Sequence, residues 1–147
     1  MSDVRAQGGD LDYTRVVTAP RDLVFRCMIE PTHLTHFWGP RGVSTPLETI
    51  TIDPRPGGVF ETVMVNDADG HVYTSRGVFS EVVAPEKLVW SEPDTGMTTT
   101  VLFMDLGTGH TEIHIHQTNV PEMFRSSEAR SGFASSLDRF ATYLATL

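Results

Sequence analysis

The sequence has one cysteine and one lysine among its 147 residues, and basic residues are few. The single thiol, Cys27, excludes a disulfide within the chain and a cysteine-rich zinc site. The chain carries 11 Lys and Arg residues against 19 Asp and Glu residues, a formal net charge of -8. Nucleic-acid binders need lysine and arginine to displace counterions from phosphates, so this balance predicts no nucleic-acid partner.

Long apolar runs are also missing. No segment approaches the roughly 20 apolar residues that a membrane-spanning helix needs. Residues 1–10 are polar and carry glycine, without the apolar centre of a secretory signal, and predict a flexible N-terminus. The remaining residues, 11–147, suit one domain with an interior core, given a hydrophobic content of 39%. We therefore expect a soluble, cytoplasmic, single-domain protein.

The first third of the chain predicts a strand and two short helices. Residues 11–18 are rich in β-branched and aromatic side chains, which favours a strand. Pro20 is suited to the first turn of a helix, and Pro31 ends that helix. Residues 32–37 predict a second short helix, with Thr32 as its N-cap.

Six segments with strand character follow, separated by turns rich in Pro, Gly and Asp. They span roughly residues 43–53, 58–67, 71–84, 87–92, 97–106 and 110–118. Short links join antiparallel neighbours, since parallel strands need long crossovers. With the first strand, they predict an antiparallel sheet of about seven strands. We attribute the Gly57-Gly58 pair in the first turn to positive φ, not to a phosphate-binding loop.

A long helix is predicted after Pro121, over roughly residues 122–146. At 1.5 Å per residue it spans about 37 Å, enough to cross the sheet. Gly132 lies inside it at a cost of about 1 kcal/mol, which close approach of the helix to the sheet would explain. The apolar positions along one face of this helix are Phe124, Ala129, Phe133, Leu137, Phe140 and Leu144.

A curved sheet around a straight helix predicts an α+β fold with an apolar gap between the two layers. Concave apolar pockets are the usual ligand sites, and methionine and aromatic side chains adapt to bound molecules. The alternative is that the same side chains fill a solid core. The candidate cavity residues are Phe60, Met64, Tyr73, Arg76, Phe79, Trp90, Met104, Phe133 and Phe140.

Seven short segments, in this order, carry a resemblance to a known superfamily. They are Ala19-Pro20-Arg21, Phe37-Trp38-Gly39-Pro40, Asp53-Pro54-Arg55-Pro56-Gly57-Gly58, Asp69-Gly70, Gly77-Val78-Phe79-Ser80-Glu81-Val82, Pro85-Glu86-Lys87-Leu88-Val89 and Gly132-Phe133. Over residues 11–146 the chain resembles the SRPBCC (START-like, helix-grip) superfamily, in particular the branch named after the activator of heat-shock protein 90 ATPase homologue. Phe37 stands where a second Trp is frequent, and Phe133 where Gly-Trp is common.

The resemblance implies a helix-grip fold with an elongated cavity for an apolar, aromatic or amphipathic small molecule. It implies no particular reaction, because members include lipid carriers, polyketide cyclases and chaperone partners. Our first hypothesis is therefore small-molecule binding without cofactor or dedicated catalytic machinery. The alternatives are a polyketide-type cyclase or hydrolase and a module that stimulates a chaperone ATPase. Whether the chain is an enzyme stays open, and a homodimer is neither required nor excluded.

Histidine and cysteine side chains are candidates for chemistry, but each has a simpler explanation. His114 and His116 share one face of a strand, so both could bind one metal ion. The isoleucines that alternate with them suit the core better, so we expect both imidazoles to face outward without a metal. His33 and His36 lack an evident third ligand, and Cys27 lies on an apolar helix stripe as a core residue.

Several charged residues and one tryptophan are candidates for contacts with a ligand. An inward-facing Arg76 would bind an anionic head group through two parallel hydrogen bonds, whereas an outward-facing one is a surface arginine. The resemblance implies a tenth cavity residue, Trp38, because in the related fold this region borders the mouth of the cavity; the alternative is that Trp38 anchors the helix-to-strand corner. Glu61, Glu81 and Glu112 lie on predicted strands, and their facing is open.

Overall fold

The computed structural model describes the backbone of residues 3–7 and all of residues 9–147. The strands are β1 (Asp3–Gln7), β2 (Asp10–Val17), β3 (Val43–Ser44), β4 (Thr51–Ile52), β5 (Val59–Asn66), β6 (Val72–Val83), β7 (Lys87–Ser91), β8 (Thr98–Gly107) and β9 (His110–Thr118). The helices are α1 (Arg21–Ile29), α2 (Pro31–Leu34) and α3 (Ser127–Leu144), with 3-10 turns at Leu47–Thr49 and Glu122–Phe124.

Within these residues the strands form one sheet in the order β1-β2-β9-β8-β7-β6-β5-β3, and β4 also pairs with β5. Every pair is antiparallel. The predicted α+β architecture, a curved antiparallel sheet with a C-terminal helix and short helices after the first predicted strand, is confirmed. The inner face of the sheet packs against the helices.

The N-terminal segment differs from the flexible lead-in predicted for residues 1–10. Residues Asp3–Gln7 form β1, which pairs antiparallel with β2. The physical reason is that the outer edge of β2 presents backbone N–H and C=O groups without partners, and β1 forms hydrogen bonds with them. Residues 1, 2 and 8 lie outside the described part of the chain.

The second short helix spans Pro31–Leu34, so it begins one residue earlier and ends three residues earlier than predicted. Pro31 starts α2 instead of only ending α1, and Glu30 stands at the N-cap position predicted for Thr32. Proline fits the first position of a helix, where its missing N–H would have no partner in any case.

The segment predicted as one strand over residues 43–53 is divided in two. Pro46 precedes a 3-10 turn that separates β3 from β4, and both short strands pair with the same edge of β5. Between them, the hydroxyl of Thr49 accepts from the Val63 N–H at 3.4 Å, and its single hydrogen is shared between the carbonyl oxygens of Pro46 at 2.7 Å and Val63 at 3.2 Å. A threonine side chain therefore completes the edge of β5 where neither strand reaches.

The C-terminal helix is shorter than predicted. It spans 18 residues, or about 27 Å at 1.5 Å per residue, because Ser126 begins it as an N-cap. The Ser126 hydroxyl accepts a hydrogen bond from the backbone N–H of Ala129 at 3.1 Å. Phe124 consequently lies outside the helix and is 42% exposed. In the described part of the chain, no helix is long and apolar enough to cross a membrane.

Aromatic pairs join the helices to the sheet and to one another. The ring of Phe133 in α3 lies 4.3 Å from that of Tyr13 in β2, and Phe140 stacks on Phe37 at 4.1 Å. Gly132, by contrast, does not make the close approach to the sheet that we predicted. A Cβ there would meet its nearest neighbour, the side chain of Pro40, at an ordinary 3.7 Å.

Candidate functional site

Four of the predicted cavity residues form one aromatic cluster on the inner face of β5 to β7. The centroid of the Phe60 ring lies 5.1 Å from the ring centroid of Trp38, 5.6 Å from that of Phe79 and 5.1 Å from that of Trp90. The two tryptophan rings are 6.5 Å apart. Strand register explains the cluster, since Phe79 in β6 is directly opposite Trp90 in β7 and opposed side chains share a face.

Glycines make room for this cluster. A Cβ on Gly77 would lie 3.0 Å from the indole of Trp90, closer than an ordinary van der Waals contact, so glycine leaves room for that ring against β6. Gly57 donates to the Phe79 carbonyl at 2.8 Å, and Phe79 donates to the Gly58 carbonyl at 2.9 Å. The Gly57-Gly58 turn therefore fixes the backbone of Phe79.

The predicted positive φ is found at Gly57 but not at Gly58. Gly57 has φ +84°, which favours glycine. At Gly58 the reason is space, because a Cβ would collide with the carbonyl oxygen of Asp53.

Exposure of the inner face increases toward the hairpin that joins β5 and β6. Phe60 and Phe79 are 4% and 1% exposed, whereas Met64 is half-buried and Tyr73 is 45% exposed. Met64 and Tyr73 are paired across the two strands, and alternation puts them on the same face as Phe60. We call this surface the aromatic site; its members are Trp38, Phe60, Met64, Tyr73, Phe79 and Trp90.

Helix α3 holds the loop that carries Trp38. One guanidinium nitrogen of Arg139 donates to the carbonyl oxygens of Gly39 at 2.9 Å, Pro40 at 3.0 Å and Val43 at 3.0 Å. A charged donor strengthens hydrogen bonds of this kind. The position of Trp38 over Phe60 is thereby tied to the position of α3.

The other four predicted cavity residues lie elsewhere. Arg76 and Met104 face outward, because each follows or precedes an inward-facing residue of its strand. The Arg76 guanidinium is exposed, 3.8 Å from the Glu61 carboxylate, and Met104 is 46% exposed. Phe133 and Phe140 belong instead to the contacts of α3 with Tyr13 and Phe37.

Thr62 and Glu92 are polar residues of the inner face that were not among the candidates from the sequence. Thr62 lies between Phe60 and Met64 along β5 and is 2% exposed. Its hydroxyl oxygen has no hydrogen-bond partner among the described residues. The signal available in the sequence was its alternation with Phe60, which puts both side chains on one face.

Glu92 is the second of these polar residues. It follows Trp90 by two positions, and its backbone N–H still pairs with the Met97 carbonyl at 2.8 Å, which continues the alternation onto the inner face. Burial raises the pKa of the Glu92 carboxyl, and the negative charge of Asp94 raises it further. A half-buried acid of this kind retains its proton to higher pH than a solvated one.

The histidine pair of β9 faces outward, as predicted, while Ile113 and Ile115 are buried. One oxygen of Asp12 lies 3.1 Å from Nε2 of His114 and 2.7 Å from Nδ1 of His116. Burial alone would raise the pKa of Asp12, but the two histidine contacts outweigh it, so this pKa is lowered. Within the described residues, no group of three or more His, Cys, Asp or Glu side chains could hold a metal ion.

Cys27, His33 in α2 and His36 in the turn after α2 have structural surroundings. Cys27 is fully buried, as predicted, and burial raises the pKa of its thiol to about 11, so the reactive thiolate is disfavoured. Nδ1 of His33 lies 2.6 Å from the hydroxyl of Tyr143, and the ring of His36 stacks on the same tyrosine. The two histidines therefore join α2 and the turn that follows it to the end of α3.

A surface groove of about 490 Å³ lies apart from the aromatic site. It is open to solvent and runs between α1 and the turn that joins β6 to β7. Its lining residues are Asp22, Phe25, Arg26, Ala84 and Pro85. It contains none of the predicted cavity residues.

Solved structures of three proteins show the same fold. A protein from Chromobacterium violaceum is 24% identical, with a TM-score of 0.83 and coverage of 92% of this chain and 96% of that chain. A protein from Rhodobacter sphaeroides is 18% identical, with a TM-score of 0.87 and 100% of both chains covered. The AHSA1 protein from Silicibacter pomeroyi is 22% identical, with a TM-score of 0.78 and coverage of 93% and 98%. A search of the curated proteins finds no match for the chain.

The sequence itself carries the family match. Residues 18–145 match the family described as Activator of Hsp90 ATPase homolog 1-like protein. This range includes all seven segments that carried the resemblance to the helix-grip superfamily, and that prediction is confirmed. The chain belongs to the family of Activator of Hsp90 ATPase homolog 1-like proteins.

Proposed function

We propose that the protein binds an apolar or aromatic small molecule at the aromatic site, between the sheet and α3. The observation that carries this proposal is the clustering of Trp38, Phe60 and Trp90 beside the accessible side chains of Met64 and Tyr73. Aromatic faces and a methionine thioether offer a large contact area that adapts to the shape of a ligand. The proposal rests on this site, since one fold serves many functions.

Intrinsic fluorescence provides a direct test. The chain has two tryptophans, and both belong to the aromatic site. Titration with 1-anilinonaphthalene-8-sulfonate should therefore change the tryptophan emission in a saturable way. We expect Trp38→Ala to weaken binding of this dye by about tenfold, which corresponds to about 1.4 kcal/mol of lost aromatic contact.

Exposed apolar residues outside the site supply the matched controls. Phe124 and Met104 are 42% and 46% exposed, so each offers the dye an alternative surface. Phe124→Ser and Met104→Ser should leave the dye affinity unchanged. Equal affinity for wild-type protein and Trp38→Ala, or loss of binding in either control, would contradict the proposal. Native mass spectrometry of freshly purified protein then identifies any small molecule that remains bound.

A further inference from the structure

The buried hydroxyl of Thr62 lies two residues after Phe60 in β5, on the same face of the strand. Its neighbours on the same face of the strand are Phe60 and Met64, which belong to the aromatic site. The side chain is 2% exposed, and its oxygen has no hydrogen-bond partner within the described residues. Buried polar groups are nearly always satisfied, so an unpartnered one calls for a specific explanation.

A second hydroxyl lies beside it. Ser75 in β6 is directly opposite Thr62 in the antiparallel register, so both side chains share the inner face with Cβ atoms about 4.5–5.5 Å apart. Ser75 is half-buried, and the exposed Tyr73 lies two residues before it on the same face of β6. The two hydroxyls therefore lie between the buried aromatic cluster and the accessible end of the site.

Packing alone does not explain a threonine at this position. Valine has the same shape and an equal preference for strands, and it would bury no unpaired polar atom. An unsatisfied buried hydroxyl costs free energy, whereas the same group gains free energy when a bound molecule supplies its partner. A threonine at this position therefore stabilises the ligand-bound protein relative to the free protein.

We propose that the ligand of the aromatic site is a phenol-type aromatic compound whose hydroxyl forms a hydrogen bond with Thr62. This inference rests on the proposed function and specifies the chemistry of its ligand. The aromatic ring lies against Trp38 and Phe60, and the ligand oxygen reaches Thr62 with Ser75 beside it. The threonine hydroxyl donates one hydrogen bond and accepts others, so it suits a phenolic O–H in either direction.

The test compares two probes that differ by one hydroxyl. The probes are 2-naphthol and naphthalene, and their affinities are measured by calorimetry with wild-type protein, Thr62→Val and Thr62→Ser. We expect Thr62→Val to weaken binding of 2-naphthol by about 3- to 10-fold, the range for one hydrogen bond, without changing the affinity for naphthalene. Thr62→Ser should restore most of the lost affinity. Without ligand, Thr62→Val should unfold at the same or a higher temperature than wild type.

Thr74→Val is the matched control, because Thr74 is exposed and lies next to Ser75 on the opposite face of β6. It should change neither affinity. If 2-naphthol and naphthalene bind wild type and all variants with equal affinity, the hydrogen bond to Thr62 is refuted while the aromatic site stands. If Thr62→Val lowers the affinity for 2-naphthol and for naphthalene equally, the hydrogen bond is also refuted. The loss then comes from a change in the shape of the strand and not from a contact with the ligand oxygen. If neither probe binds saturably to wild type, this inference and the proposed function both fail.

Discussion

The carbonyl oxygen of Asp53 occupies the space that a side chain on Gly58 would need. A Cβ at Gly58 would collide with it and would also lie 2.9 Å from the Arg55 carbonyl oxygen. Both obstacles are backbone atoms, which cannot move aside as a flexible side chain can. We predict that Gly58→Ala lowers the free energy of unfolding by about 2–3 kcal/mol, as overpacking does, measured by urea denaturation.

Gly57→Ala is the comparison for this prediction. A Cβ on Gly57 would stand in open space, but its φ of +84° is strained for alanine, at a cost of about 1–2 kcal/mol. Gly58→Ala should therefore be the more damaging change. The opposite order would contradict the steric explanation of Gly58.

Gly132 offers a prediction of the opposite sign. It lies inside α3, and a Cβ there would make only an ordinary contact with Pro40. Alanine is favoured over glycine in a helix interior by about 1 kcal/mol, so Gly132→Ala should raise the free energy of unfolding by that amount. Thermal denaturation measures the change.

Gly77→Ala, which would crowd Trp90 at 3.0 Å, should lower the melting temperature in the same assay.

Glu92 makes stability depend on pH. Burial raises the pKa of its carboxyl in the folded state, so the folded protein loses stability as pH rises from the unfolded pKa, about 4.3, through the folded one. Glu92→Gln removes this loss. We expect the variant to melt at a higher temperature than wild type at about pH 8, and at the same temperature at about pH 4.

Glu81→Gln is the control for Glu92. The Glu81 carboxylate is exposed and lies 3.0 Å from the ammonium group of Lys87. Its replacement removes an ion pair and should leave the melting temperature at about pH 8 unchanged or slightly lower. A higher melting temperature for Glu81→Gln as well would show a general effect of negative charge.

The pKa of Asp12 is shifted in the other direction. Its carboxylate is stabilised by His116 and His114 more than it is destabilised by burial. The stability that it contributes is present above the unfolded pKa, about 3.9, and is lost as pH falls through the lower folded value. Asp12→Asn should cost about 1 kcal/mol or less at about pH 6, because the pair is partly exposed. The difference from wild type should disappear toward about pH 2 in urea denaturation.

The neighbouring carboxylate of Asp10 tests whether this effect is specific. Asp10 lies 4.0 Å from Nε2 of His116, so Asp10→Asn should change stability less than Asp12→Asn at every pH. Equal pH-dependent losses in both variants would indicate that overall charge, and not the shared histidine contact, is responsible.

Turn chemistry made most of the sheet predictable from the sequence. Gly70, Gly96 and Gly109 lie in predicted turns and have φ between +74° and +77°, where glycine carries no steric penalty. Together with the turn predicted between segments 71–84 and 87–92, these turns divide the chain into segments that match β5 to β9. The start of α3 was less predictable, because Pro121 and Ser126 are both suitable residues for the beginning of a helix.

The composition of the site was predictable only in part. Six of the ten predicted cavity residues form the aromatic site. Alternation alone would have separated Met104 from Phe103, and Arg76 from Gly77, since adjacent residues of a strand face opposite ways. Alternation along the sequence puts the side chains of Thr62 and Glu92 on the inner face. The missing hydrogen-bond partner of Thr62 and the degree of burial of Glu92 depend instead on residues distant in sequence.

The divided edge of β5 has a consequence for association. An uncovered edge strand presents a row of N–H and C=O groups to which a strand of another molecule can add. Here β3 and β4 occupy the two ends of that row, and Thr49 occupies the gap at Val63. At two residues each, β3 and β4 are too short to template a new strand themselves. This side of the sheet is thereby protected against edge-to-edge aggregation.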